Sequence, residues 1–213
     1  MRLRDERDEV ARLARRLRPD GLVVGTAGNL SARRGDLVAI TPSGLDYDDL
    51  DARLVCVVDL DGTQLDGLLA PSLELPMHLA CYRRAGAGAV VHSHSPFATA
   101  VSLAQDELPA VHYLIGDLGG PVRVAPYATF GTEALADGLV EALEGRSAAL
   151  LASHGVITIG DTLARAYDRS LILESIAAAY VRAKALGEPR VIPDAEVAVL
   201  VEKMADYGQV RPA

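Results

Sequence analysis

The sequence predicts an α/β domain: a sheet whose first half pairs antiparallel, covered by helices. Three observations point there. Short apolar runs in the first third lie too close together for crossover helices, so consecutive strands there must reverse direction. Further along, apolar runs alternate with stretches of helical periodicity rich in Ala and Leu, which supply helices to cover the sheet. Half of the 213 residues are hydrophobic, enough for one sizeable core in a chain too short for a second full domain, so residues 1–213 read as a single domain.

The elements follow in order. Leu3–Leu17 reads as an amphipathic helix with Leu3, Val10, Leu13, Ala14 and Leu17 on one face, stopped by Pro19-Asp20-Gly21. Strands are expected at Leu22–Val24, Leu30–Arg33, Leu37–Thr41 and Val55–Leu60, and Asp61-Gly62 is a hairpin signal leading into Thr63–Leu65. A helical segment carries Cys81 and sets His78 one turn after Glu74. Later strands, Ala89–His92, Val122–Ala125, Ala149–Ala152 and Val156–Ile159, alternate with helices opening at Ser95-Pro96, Thr132 and Asp161. Those are capping residues, with a proline at a first helical position. The longest helix should run from about Thr162 to Ala185, with Gly187 as its C-terminal stop, and Asp194–Ala205 forms a last one. No repeat, low-complexity tract or linker divides the chain.

Composition narrows the function. Net charge is −8 and the only Arg-rich segment, Arg2–Arg18, is interleaved with Asp and Glu, which argues against nucleic acid as a partner. Cys56 and Cys81 lie in apolar segments, far below the density of a disulfide framework, and read as small buried hydrophobes. The N-terminus is charged with no apolar leader core, and no apolar stretch approaches a membrane span, so a soluble cytoplasmic protein with no membrane partner is expected.

The chemistry concentrates in Val90-Val91-His92-Ser93-His94, an apolar run ending in two histidines one residue apart. Positions i and i+2 of a strand share a face, so two imidazoles there can close on one ion. His154 ends a second such run, followed by Gly155, and a carboxylate, Glu74, stands in Pro71-Ser72-Leu73-Glu74. A His-x-His pair alone is commonly a packing feature. The paired histidines, a third in an equivalent setting and a nearby carboxylate together make a set that suits Zn²⁺. Gly25-Thr26-Ala27-Gly28-Asn29 has the glycines and side-chain donors of an anion-holding nest but no Walker lysine, and taken alone it also reads as a simple hairpin loop. Thr41-Pro42-Ser43-Gly44 and Pro71-Ser72 repeat that chemistry, which suggests an anion held beside a Lewis acid.

Gly25–Asn29, Thr41–Gly44, Pro71-Ser72 with Glu74, Val91–His94, His112-Tyr113, Tyr127–Thr132 and Ser153-His154-Gly155, taken in order, resemble the class II aldolase/adducin family, from the first helix to Tyr207-Gly208. The resemblance implies a three-layer α/β/α fold around a mostly antiparallel sheet, in a fourfold homotetramer with active sites between subunits. It also implies zinc-dependent, reversible cleavage of a ketose 1-phosphate, such as L-fuculose 1-phosphate or a related deoxy-ketose phosphate, to dihydroxyacetone phosphate and an aldehyde. Carried onto matching positions, it makes His92, His94 and His154 zinc ligands and Glu74 a carboxylate that can ligate zinc and act as acid/base. Thr26, Gly28, Asn29, Ser43, Gly44 and Ser72 would bind the phosphate. Tyr113 would reach a neighbouring subunit's site and handle the proton on the aldehyde oxygen, while Phe130 and Tyr207 border the aldehyde side. His78 and His112 are left as supporting or packing residues. One position departs from the pattern: Pro-Ser-Ser-Glu is here Pro-Ser-Leu-Glu, so Leu73 replaces a hydroxyl and offers only its backbone N–H. The rival readings are an L-ribulose-5-phosphate 4-epimerase, which typically has Asp where this chain has Glu74, a methylthioribulose-phosphate dehydratase-like enzyme, and a non-catalytic adducin-like scaffold. Retention of the three histidines and Glu74 argues against the scaffold.

Overall fold

The computed structural model describes residues 1–205. Its elements are, in chain order, α1 (Arg4–Ala14), β1 (Asn29–Arg34), β2 (Leu37–Ile40), β3 (Cys56–Asp59), β4 (Gln64–Asp66), α2 (Leu75–Arg84), β5 (Ala89–Ser93), α3 (Pro96–Ala104), β6 (Glu107–Leu108), β7 (Val122–Ala125), α4 (Glu133–Ala142), β8 (Ala148–Leu151), β9 (Gly155–Gly160), α5 (Leu163–Lys184) and α6 (Asp194–Ala205). Short 3₁₀ turns at Tyr47–Asp49 and Tyr113–Leu118 complete the list. The nine strands form one sheet in the order β4-β3-β2-β1-β5-β9-β8-β7-β6. Every neighbouring pair is antiparallel except β7–β8, so the expected mostly antiparallel sheet is observed.

Strand periodicity sorts the core into layers. Ala89 and Val91 of β5, with Leu30 and Ala32 of β1, pack against Val10 and Leu13 of α1 and Tyr167 of α5. Val90 of β5, with Val38, Ile40, Ala149, Leu151 and Ile157, packs on the opposite face against Met77 and Cys81 of α2 and Leu135 and Leu139 of α4. Toward β8, Ala148, Leu150 and Val156 face Ala98 and Val101 of α3 and Leu173 and Ile176 of α5. Helices α1, α3 and α5 thus cover one face and α2 and α4 the other, the layering expected when both faces of a sheet are apolar. Among the described residues no helix is long and apolar enough to cross a membrane.

Local chemistry sets the helix ends. Thr132 and Thr162 accept hydrogen bonds from Leu135 N and Arg165 N and cap α4 and α5 as expected. Ser95 opens α3 but does not cap it; Glu174 of α5 does, accepting from Phe97 N and Ala98 N at 2.9 Å each. Cys56 and Cys81 are free and buried, as their surroundings indicated.

The expected strand Leu22–Val24 is absent. Leu22 is fully buried, yet Val24 is 78% exposed and the segment is bracketed by Gly21 and Gly25, both at positive φ. Its backbone bonds are local or single: Leu22 N donates to Leu17 O, and Leu22 O accepts from His94 N at 3.0 Å. With only one such bond the run is a connector plugged into the core by Leu22 and Val23, and it steadies the backbone at His94.

Candidate metal centre and adjoining pocket

The parity of β5 places the first histidine. Val90 faces α2 and α4, so His92, two residues on, leaves the same face of the sheet, toward the start of α2, and is fully buried. His94 follows just past the strand end. His154 lies in the turn from β8 to β9, where Ser153 takes a left-handed conformation (φ 55°) and His154 N donates to Leu151 O. Gly155 is required there, because a Cβ would lie 2.5 Å from Ser93 O and 2.8 Å from His94 Cδ2. Glu74 sits at the N-cap of α2, its N–H donating to Ser72 Oγ at 3.2 Å, but its carboxylate makes no capping bond and turns instead to the histidines.

Four side chains therefore converge. Their donor atoms all lie within 4.8 Å of one another. His92 Nε2 is 2.9 Å from His94 Nε2 and 3.1 Å from Glu74 Oε2, and His154 Nε2 is 3.1 Å from Glu74 Oε1. The three rings stand edge to face, with centroids 4.8 to 5.1 Å apart. His92 Nδ1 lies 2.9 Å from Val156 O. A carbonyl can only accept, so Nδ1 carries the hydrogen and the Nε2 lone pair points into the cluster. Burial alone would raise the Glu74 carboxyl, but His154 and His92 beside it, together with the Asn29 amide, outweigh burial and hold it well below the usual carboxylate range. Burial, then the neighbouring His92 and His154, pushes the His94 imidazole down to about 4.

Such converging lone pairs are stable only around shared protons or a cation. Glu74 Oε1 is buried and lacks an aligned hydrogen-bond partner among the described residues. The edges of a tetrahedron around an ion with bonds of ~2.0–2.1 Å run to about 3.3 Å, and the three separations of 2.9 to 3.1 Å given above fall just inside that, with all the donor atoms within 4.8 Å of one another. Three imidazoles and a carboxylate thus form a group fit to hold a divalent metal ion.

Glu74, His94 and His154 form one wall of a pocket of about 360 Å³, with His92 buried behind them, and Thr26, Gly28, Asn29, Ser43, Gly44, Ser72, Leu73 and Phe130 line the rest. The donor-rich turns are tied together: Ser43 N donates to Ala70 O, Ser72 N donates to Thr41 O, and Pro42 bridges to Pro71. Gly28 has φ 82°, and a Cβ would meet His92 O at 2.8 Å, so the loop lies directly against the histidine strand. Sequence reasoning missed Tyr47, which also lines the pocket and whose one hydroxyl hydrogen sits between Gly28 O (2.6 Å) and Ala27 O (2.9 Å), fastening the glycine loop from behind. Its only local signal was an aromatic residue beside Asp46, which caps the 3₁₀ turn by accepting from Asp48 N. A larger cavity of about 1080 Å³, bounded by Asp117, Arg146, Arg165 and Arg169, contains none of these groups.

One expected site residue is not gathered here. Tyr113 opens a 3₁₀ turn, is 54% exposed, stacks beside His112 and does not line the pocket. Tyr207 lies outside the described residues.

Comparison with known proteins places the chain in a family. Residues 8–181 match the family model described as Class II Aldolase and Adducin N-terminal domain. The chain is 42% identical over 212 residues to 5-deoxy-D-ribulose 1-phosphate aldolase of Bacillus thuringiensis, covering 98% of this chain and 100% of that protein. It is 41% identical over 191 residues to L-fuculose phosphate aldolase of Escherichia coli, covering 88% of each. A solved structure of L-fuculose 1-phosphate aldolase superposes with a TM-score of 0.91 at 39% identity, over 94% of this chain and 96% of that one. By fold, by the converging histidines and carboxylate, and by these matches, the chain belongs to the class II aldolase and adducin family.

Proposed function

We propose that the protein is a zinc-dependent aldolase that reversibly cleaves a ketose 1-phosphate, either L-fuculose 1-phosphate or a related deoxy-ketose phosphate such as 5-deoxyribulose 1-phosphate, to dihydroxyacetone phosphate and an aldehyde. The observation that carries this reading is the placement of Glu74, whose carboxylate gathers with three imidazoles beside a pocket otherwise rimmed by donor-rich turns. Relatives across most of the chain are named as aldolases of such phosphates.

The residues divide the work. Thr26, Gly28, Asn29, Ser43, Gly44 and Ser72 hold the phosphate, which fixes the reacting carbons beside Glu74 rather than leaving them to diffuse. An ion held by His92, His94 and His154, read as zinc because the donors are imidazoles and a carboxylate, supplies Lewis-acid stabilisation of the charge that develops as C3–C4 breaks. Glu74 removes a proton from C3 of dihydroxyacetone phosphate in the synthetic direction and returns it in cleavage. Phe130 and Tyr207 border the aldehyde. Tyr113 handles the proton on the aldehyde oxygen, and its exposed position away from its own chain's pocket supports service in the site of a neighbouring subunit of a homotetramer.

One preparation tests these parts together. Native mass spectrometry should find four 22.5 kDa chains with about one zinc each. Glu74→Gln should keep the assembly and cleave at least ~10²-fold more slowly. A monomer would remove Tyr113 from the site, and a Glu74→Gln rate within a few-fold of wild type would remove Glu74 from the chemistry.

A further inference from the structure

We propose that His78 is a positioning residue for Glu74, acting through the carboxamide of Asn29. The inference rests on the acid/base role given to Glu74 above and adds a residue behind it. Its origin is a match of two periods. On α2, Glu74, His78 and Tyr82 recur every fourth residue, which advances about 6 Å along a helix. On β1, Asn29 and Ser31 recur every second residue, which advances about 6.7 Å along a strand and keeps both on one face. Because β1 and α2 pack together at nearly equal spacing, the two sets interleave as Glu74, Asn29, His78, Ser31, Tyr82.

Every link is a hydrogen bond between buried or half-buried groups. Asn29 Nδ2 lies 2.8 Å from Glu74 Oε2, His78 Nε2 lies 2.5 Å from Asn29 Oδ1, His78 Nδ1 lies 2.6 Å from Ser31 Oγ, and Ser31 Oγ lies 2.5 Å from Tyr82 OH. Only one assignment satisfies all of them. An ionised carboxylate only accepts, so the NH₂ of Asn29 must face Glu74 and its Oδ1 must face His78. His78 then carries its hydrogen on Nε2, its bare Nδ1 accepts from the Ser31 hydroxyl, and Ser31 accepts from Tyr82. Burial keeps the His78 imidazole neutral, pushing it down to about 3, which agrees with a ring that donates through one nitrogen and accepts through the other.

The chain has a direction, and His78 sets it. Without its Nε2–H nothing on that side distinguishes the two ends of the Asn29 amide, and a flipped amide would turn its oxygen toward Glu74 Oε2 and push the carboxylate off the centre. Asn29 also pairs with His92 across β1 and β5, so the same amide is fixed in register with a candidate ligand. Neither Ser31 nor Tyr82 lines the pocket.

Two substitutions separate positioning from packing. His78→Gln reaches the place of Nε2 and can still donate to Asn29. His78→Asn reaches only the place of Nδ1, keeping Ser31 and losing Asn29. His78→Asn should lower kcat for ketose 1-phosphate cleavage, and weaken Zn²⁺ affinity measured by chelator competition, by about tenfold to a hundredfold, with little change in KM. His78→Gln should recover most of both. Histidine ¹⁵N NMR of the wild-type protein, which needs no variant to fold, should show His78 protonated on Nε2. Equal kcat and equal zinc affinity in the two variants, or a wild-type ring protonated on Nδ1, would overturn the proposal. Glu74→Gln is assayed beside them. Full activity there would sink the role of Glu74, while the tautomer and the Gln/Asn difference in zinc affinity would still report on His78.

Discussion

Leu73 stands between two residues already committed. Ser72 Oγ accepts from Glu74 N, which leaves the Ser72 hydroxyl hydrogen free to donate into the pocket, while the Leu73 side chain is 66% exposed at its rim. A hydroxyl hydrogen-bonding a charged phosphate oxygen contributes ~1.5–3 kcal/mol. Leu73→Ser should therefore lower KM for a ketose 1-phosphate about tenfold or more. It should leave kcat nearly unchanged, because phosphate binding is remote from the broken bond and equal in ground and transition states. Steady-state kinetics decide it: an unchanged KM would mean that phosphate does not pass position 73. Stability should hardly move, since an exposed leucine contributes little packing.

At the scale of elements, the turn between β8 and β9 carries the tightest constraint. Ser153 accepts a left-handed backbone that costs an L-residue ~1–2 kcal/mol, and Gly155 leaves room for two histidines. Gly155→Ala should lower stability, because its Cβ meets the Ser93 carbonyl of β5, and should bind zinc at least about tenfold more weakly as His94 and Ser93 give way. Calorimetric titration showing wild-type affinity would mean that the turn is looser than described. The same element shows what a sequence can reveal. His92 and His94 were legible because strand parity is a local rule, and Val122–Ala125 appears with the expected bounds because an apolar run between turn signals has few alternatives. Leu22–Val24 misled because the buried Leu22 and Val23 look like a strand until their hydrogen bonds are traced. Strand β6 is two residues long and the 3₁₀ turns hang on single side-chain caps, too little pattern to read. Tyr47 and the His78 chain depend on how distant segments pack, which no local period encodes.

On the scale of the whole molecule, the site gathers at one end of the central strands. β1, β5 and β9 are consecutive in the sheet, and the ends of these neighbours, with the N-terminus of α2, bring together residues as far apart as Asn29 and His154. A centre built this way exists only in the folded protein, so metal at a hundredfold excess over its Kd should add ~2.7 kcal/mol of stability. The central claim is that this centre and its pocket cleave a phosphorylated ketose. The direct measurement is the rate at which purified protein releases dihydroxyacetone phosphate from 5-deoxyribulose 1-phosphate and L-fuculose 1-phosphate, before and after chelation. The account predicts release from at least one of them in equal amount with aldehyde, lost on chelation and restored by Zn²⁺. No release from either by the metal-loaded protein, or a rate that chelation leaves untouched, would contradict it.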